Sequence, residues 1–321
     1  MCHSVAAMEL GFSVPVAGSW ATPSNQVRVA RRAEELGYHS LWTFQRLLYA
    51  VAPRNDYPSA PGQPWPAMFQ RVVDPIVTLA HVAGATEHIR LGTAVVVYAY
   101  FAPAVLAKQL ATLDIVSGGR LDVGIGVGWS EDEYEAAGVP FRRRGARLEE
   151  FVRCLSALWA DDPVEFDGRF YSVPKSLFQP KPRQRPRPPI LLGGYTPATV
   201  RRAATLADGY VGGNVPLARV APLVEELRRA AKEAGRDPDA VRVVSRGSVR
   251  LVDEPLGGDR RPLWGSLDQI REDVVRYREA GLDELFIELN FDPIIAAPDA
   301  DPARSLATAL TLLEALAPAG H

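Results

Sequence analysis

The sequence is short of the residues from which most reactive centres are built. Only two cysteines occur, Cys2 and Cys154, and they stand far apart, so no disulfide framework is implied. Histidines are few and scattered, with only His81 and His88 near one another, on one helix and its end. A metal-dependent hydrolase barrel needs clustered histidines and carboxylates, so no metal is expected. The lysines are Lys108, Lys175, Lys181 and Lys232, and none ends a strand, which removes a Schiff-base aldolase. No Gly-x-Ser-x-Gly elbow is present. The formal net charge is −2 with 23% charged residues, and no basic stripe marks a nucleic-acid binder. No apolar run approaches the ~20 residues of a membrane span. The first residues lack a basic segment followed by an apolar one, so no membrane association and a cytosolic setting are expected. Residues 1–7 carry no pattern, and Met8 stands as an alternative start.

What the chain has is alternation. At 321 residues it is long enough for one large domain or two ordinary ones. Short β-branched runs at 8–14, 39–44, 89–97, 120–127, 189–194, 208–213, 241–252 and 282–291 read as strands. Between them, 24–37, 74–87, 103–118, 144–159, 196–207, 217–235, 266–281 and 302–316 read as helices. Several ends are signalled: Ser24 as N-cap with Gly37 as stop, Asp74 capping before Pro75, and a capping box from Ser266 to Gln269. Eight strand–helix units predict an α/β fold, a (β/α)8 TIM barrel with insertions at about 45–73 and 161–189. The second insertion holds a hairpin and then a proline-rich stretch. A doubly wound sheet is the competing architecture, because it shares the alternation.

The run "SGGRLDVGIGVGW" raises the question of a dinucleotide fingerprint. Its spacing is Gly-x-Gly-x-Gly, it is the fourth strand of the series, and no strand with a terminal acid follows at the right distance. The Rossmann reading therefore loses. Gly193-Gly194-Tyr195-Thr196-Pro197 closes the fifth strand and opens a helix, a ready anion site. Gly212-Gly213-Asn214 closes the sixth. In a barrel these strand ends share one mouth, where glycines either admit a flat ligand or merely relieve crowding.

At this point the residues resemble the luciferase-like monooxygenase superfamily, and within it the branch that uses coenzyme F420, a deazaflavin. The stretches that carry the resemblance include "AEELGYHSLWTFQRLLY", "IRLGTAVVV", "PAVLAKQLATLDIVSGGRLDVGIGVGW", "GARLEEFVRCLSALW" and "PKPRQRPRPPILLGGYTPATVRRAATLADGYV". They run nearly the whole chain in order, so a single domain over 1–321 is implied. The resemblance implies a non-prolyl cis peptide at Ala94–Val95, after Thr93, pressing on the cofactor's middle ring. It implies that Gly128 and Trp129 flank the cofactor. It places the phosphate-bearing tail at Gly193, Gly194, Tyr195 and Thr196. One departure stands out: family members often end the second strand with an acid and a histidine, where this chain has Gln45 and Arg46. These two are the candidate catalytic residues. Arg46 is no proton shuttle; it holds an anionic substrate or the cofactor's enolate-like oxygen, or it is a surface salt-bridge partner.

The implied activity is hydride transfer between F420 and a small organic substrate at the mouth. An FMN-dependent monooxygenase with a separate flavin reductase is the alternative, as is a non-catalytic cofactor-binding homologue. Relatives imply a homodimer through the early helices. Tyr98, Tyr100 and Phe101 are candidate pocket walls, and the loop after Gln45 is a candidate lid. Arg246 either reaches an anion at the mouth or pairs with Glu288, and Asp292 reads as a turn residue.

Overall fold

A computed structural model describes residues 8–318. Cys2 and the patternless segment 1–7 lie outside the described residues. Eight parallel strands form the barrel: β1 (Glu9–Ser13), β2 (Ser40–Thr43), β3 (Arg90–Thr93), β4 (Leu121–Gly126), β5 (Ile190–Gly193), β6 (Gly209–Gly213), β7 (Arg242–Ser248) and β8 (Glu284–Glu288). Each pairs with the next, and β8 pairs with β1 through Glu284↔Glu9 and Leu285↔Leu10, so the sheet closes. Closure settles the architecture in favour of the barrel over the doubly wound sheet.

The outer helices are α1 (Pro23–Glu35), α2 (Pro75–Ala83), α3 (Pro103–Val116), α4 (Glu131–Ala136), α5 (Arg144–Trp159), α6 (Pro197–Leu206), α7 (Leu217–Glu233), α8 (Leu267–Glu279) and α9 (Pro302–Ala315). The Asp74 cap and the Ser266–Gln269 box form as expected. The start of α1 differs. Thr22, not Ser24, is the N-cap and accepts from the Asn25 amide, because Pro23 takes the first helical position. The insertion at 161–189 does carry an antiparallel hairpin, Val164–Asp167 with Ser172–Ser176.

Strand alternation sets what fills the barrel. Trp42, Leu191, Val211, Val244 and Phe286 form the middle layer, with Trp42 stacked on Phe286 at 5.2 Å. Below them, at the strands' N-terminal ends, lies an ionic layer. Asp122 accepts from Arg90 Nη2 at 2.6 Å and from Arg242 Nη1 at 3.2 Å. Glu284 accepts from Arg242 Nη2 at 2.9 Å and from Trp42 Nε1 at 2.7 Å, and Ser40 also donates to it. The opposite end is the mouth.

Candidate active site at the barrel mouth

Two residues above the middle layer, the inward positions are Gly126, Gly193, Gly213, Arg246 and Glu288. The glycines are not vacant floor. The chain leaves β3 at Thr93, the Ala94–Val95 peptide is cis, and the strand resumes at Val96–Val97. A β-carbon at Gly126 would stand 2.5 Å from one Val95 methyl, and one at Gly193 would stand 2.7 Å from the other. A β-carbon at Gly124 would collide with the Thr93 carbonyl oxygen. These glycines therefore admit the protein's own bulge, which is the relief of crowding among the two readings the sequence left open. Thr93 is engaged by the neighbouring strand: its hydroxyl donates to the Gly124 carbonyl at 2.8 Å and accepts from the Gly124 amide at 3.0 Å.

Beyond Val95 the donors change character. Gly194 has φ +147°, a conformation that suits glycine, and its carbonyl accepts from Tyr210 Oη at 2.7 Å. Thr196 caps α6, accepting from the Thr199 amide at 3.2 Å. Among the described residues no protein acceptor meets the amides of Gly194, Tyr195 or Thr196. Three unpaired amides at the positive end of a helix are of the kind that can receive an anion. The Tyr195 ring is exposed while its hydroxyl donates to the Gly213 carbonyl at 2.9 Å.

Gln45 and Arg46 part company. Gln45 is buried and its Oε1 accepts from the Val97 amide at 2.7 Å, which holds the chain just past the bulge. Because that amide can bond only an oxygen, the carboxamide orientation is fixed and the Nε2 donors face away from Val97. Arg46 does not present a free cation. It forms a buried ion pair with Glu133, its Nε donating to Oε1 at 3.1 Å and its Nη2 donating to Oε2. Its guanidinium lies 4.3 Å from the Trp129 ring centroid and 5.4 Å from that of Phe69. Burial pushes it down to about 10, still cationic at neutral pH. Of the two roles left open by sequence, pairing is the one the geometry shows, with a buried partner rather than a surface one.

Glu133 is the residue that sequence reasoning missed. It also accepts from the Leu47 amide at 2.6 Å, the Leu48 amide at 3.2 Å and Tyr100 Oη at 2.5 Å. Burial pushes the Tyr100 phenol up to about 12. The signal was present as Ser130-x-x-Glu133, a helix-start pattern, and the Ser130 hydroxyl does accept from the Glu133 amide. The carboxylate turns instead to the loop at 45–73. That loop is held over the mouth by Trp65 and Tyr57, which pack on Trp129, and by Phe69, which packs on Phe291. Tyr98, expected as a pocket wall, is wholly buried against Phe151 with its hydroxyl donating to the Arg144 carbonyl at 2.9 Å. Gly128, at φ +67°, lets the chain turn so that Trp129 joins this lid. Asp292 plays the expected turn role, accepting from the Ile294 amide at 2.7 Å.

A family model described as luciferase-like monooxygenase matches residues 7–255. The chain belongs to the luciferase-like monooxygenase family. An uncharacterised protein of Mycobacterium tuberculosis is 32% identical over 261 residues, covering 78% of this chain and 90% of the relative. Among solved structures, a monooxygenase from Streptomyces bottropensis superposes with a TM-score of 0.76 at 25% identity, covering 96% of this chain and 98% of that one. An F420-dependent secondary alcohol dehydrogenase, bound to an F420–acetone adduct, gives 0.73 at 16% identity, covering 97% and 99%. FMN-dependent oxygenases are also among the matched proteins. Proteins described with either cofactor thus share this barrel.

Proposed function

We propose that this luciferase-like barrel is an oxidoreductase that binds coenzyme F420 at its mouth and exchanges a hydride with a small organic substrate. The observation that carries the reading is the set of unpaired amides at Gly194, Tyr195 and Thr196 beside the Val95 bulge. A phosphorylated tricyclic cofactor fits that donor set: its phosphate would be held by the amides and the start of α6, and its ring by the Ala94–Val95 bulge and Trp129. When bound, the deazaflavin supplies the hydride chemistry, which asks the protein for position rather than for a base.

The chain's own groups match that division of labour. Gln45 fixes the segment just past the bulge. Arg46 and Glu133 neutralise one another, so neither is available as a proton shuttle, and instead they pin the lid that keeps water from the mouth. The same reading sets the protein in the cytosol as a homodimer.

A second reading, FMN-dependent monooxygenation with a partner reductase, is favoured by two relatives described as flavin-dependent monooxygenases. The FMNH2-dependent dimethylsulfone monooxygenase of Pseudomonas putida is 35% identical over 163 residues, half of this chain and 45% of the relative. Titration of the purified protein with F420 and with FMN, followed by cofactor fluorescence, separates the two. Thr196→Asp tests the site itself. Aspartate keeps the N-cap and therefore the helix, but sets a negative charge against a phosphate. The expected result is cofactor affinity lowered about tenfold or more with an unchanged melting temperature. Equal affinity for wild type and variant would sink the placement, and tight binding without turnover of any enone, imine or alcohol would leave a carrier.

A further inference from the structure

The wall of the mouth two strands on from the amides is built differently, and Tyr195 reaches its edge at Gly213. On β7, Arg246 and Ser248 occupy successive inward positions, and Ser248 is paired in register with Glu288 on β8. All three are buried, with Arg246 7% and Ser248 9% exposed. Yet Arg246 Nε and Ser248 Oγ have no hydrogen-bond partner. No carboxylate lies within ion-pair distance of Arg246 among the described residues. Its guanidinium rests on the Phe291 ring, 4.0 Å from the centroid. The missing side chain at Gly213 makes its space, since a β-carbon there would stand 2.7 Å from Nη2.

The surroundings hold this arrangement rigidly. Asn214, at φ +63°, accepts from the Ser248 amide at 3.0 Å and donates its own amide to the Arg246 carbonyl at 3.1 Å. Glu288 Oε1 accepts from both the backbone and side-chain nitrogens of Asn290, each at 2.8 Å. Asn290 is tied in turn to the Val14 carbonyl and to the Val16 and Ala17 amides. Burial pushes the Glu288 carboxyl above its ordinary range while the Arg246 charge pulls it down, and the two groups do not come within ion-pair distance. An uncompensated buried charge is costly, and so is each orphaned polar atom.

We propose that Arg246 and Ser248 form the substrate subsite of this mouth and that they take the carboxylate of a small organic acid. This rests on the reading that the mouth is the reaction site. It assigns the glycine-and-amide half to cofactor and the β7–β8 half to substrate. Arg246 is the anchor: a planar fork backed by an aromatic ring suits a carboxylate. Ser248 supplies a hydroxyl donor beside it. Glu288 sets the far edge of the subsite.

The test is binding of acetate, crotonate and benzoate, with crotonamide and benzamide as neutral counterparts. It is followed by calorimetry with and without added F420 or FMN. The acids are expected to bind at least about tenfold more tightly than their amides. Arg246→Met should weaken the acids about tenfold or more while moving cofactor affinity by less than about threefold. Arg246→Lys should restore part of the loss, and Ser248→Ala should give a smaller one. A melting curve for each variant shows whether it is folded. Acids and amides binding alike, or no acid binding, would overturn the subsite. So would a loss of cofactor affinity in Arg246→Met as large as the loss for the acids. Acid binding that survives while neither cofactor binds would instead count against the proposed function and leave the anion subsite standing.

Discussion

Arg242 and Arg246 stand four residues apart on β7, one at each end of the barrel, and both face inward. Arg242 divides its donors between Asp122 and Glu284 at 3.2 and 2.9 Å, and those carboxylates also receive Arg90, Ser40 and Trp42. Arg246 has an aromatic ring beneath it and an Nε with no partner. The same residue type is thus a structural cross-link at one end and an unfilled donor at the other. The difference teaches where to look for ligands: not where charge is buried, but where buried charge is left uncompensated. Arg46 shows that position at the mouth does not suffice, since Glu133 saturates it.

Removing carboxylates should separate these classes. Glu133→Ala leaves Arg46 buried and unpaired and frees the backbone at Leu47 and Leu48. The expected loss is about 3–5 kcal/mol, read from denaturant unfolding. A cost near zero would mean that the lid does not depend on this pair. Asp122→Ala should cost less, about 2 kcal/mol, because Arg90 and Arg242 are partly exposed and water screens them. Arg246→Met, in contrast, should leave stability unchanged or raise it by about 1 kcal/mol or more, because it removes a buried charge with no partner. If it destabilises as much as Asp122→Ala, the two ends do not differ in the way described.

The smallest effect concerns Glu288. Its carboxyl is raised above the ordinary 4.5 by burial, so the folded protein binds that proton more tightly than the unfolded chain does. The associated stability is present below the ordinary value and is lost as pH rises through the raised one. Wild type minus Glu288→Gln in melting temperature should therefore fall as pH rises above the ordinary carboxylate range. Parallel curves for the two proteins would show that Glu288 ionises normally.

Much of the fold was legible because it is written locally. Short strand-like runs alternating with longer helical stretches mark all eight units, and Asp74 and Ser266 signal their own helices. Where local signals compete, reading is harder, as at Thr22-Pro23-Ser24, where the proline fixes which hydroxyl caps. The mouth was legible as a place: glycines at 124, 126, 193 and 213 lie on inward positions of adjacent strands. What fills that place was not, because Val95 meets Gly193 across 98 positions of sequence and Arg46 meets Glu133 across 87. Such pairings exist only once the barrel closes. For the same reason Arg246 looked in sequence as ready to pair with Glu288 as to bind a ligand.

Amide hydrogen exchange with and without saturating cofactor tests the central claim most directly. Added protection is expected at 194–196 and in the first turn of α6, with no change at the Asp122–Arg242–Glu284 end. Exchange at 194–196 that is already slow without cofactor, or unaltered by F420 and by FMN alike, would contradict it.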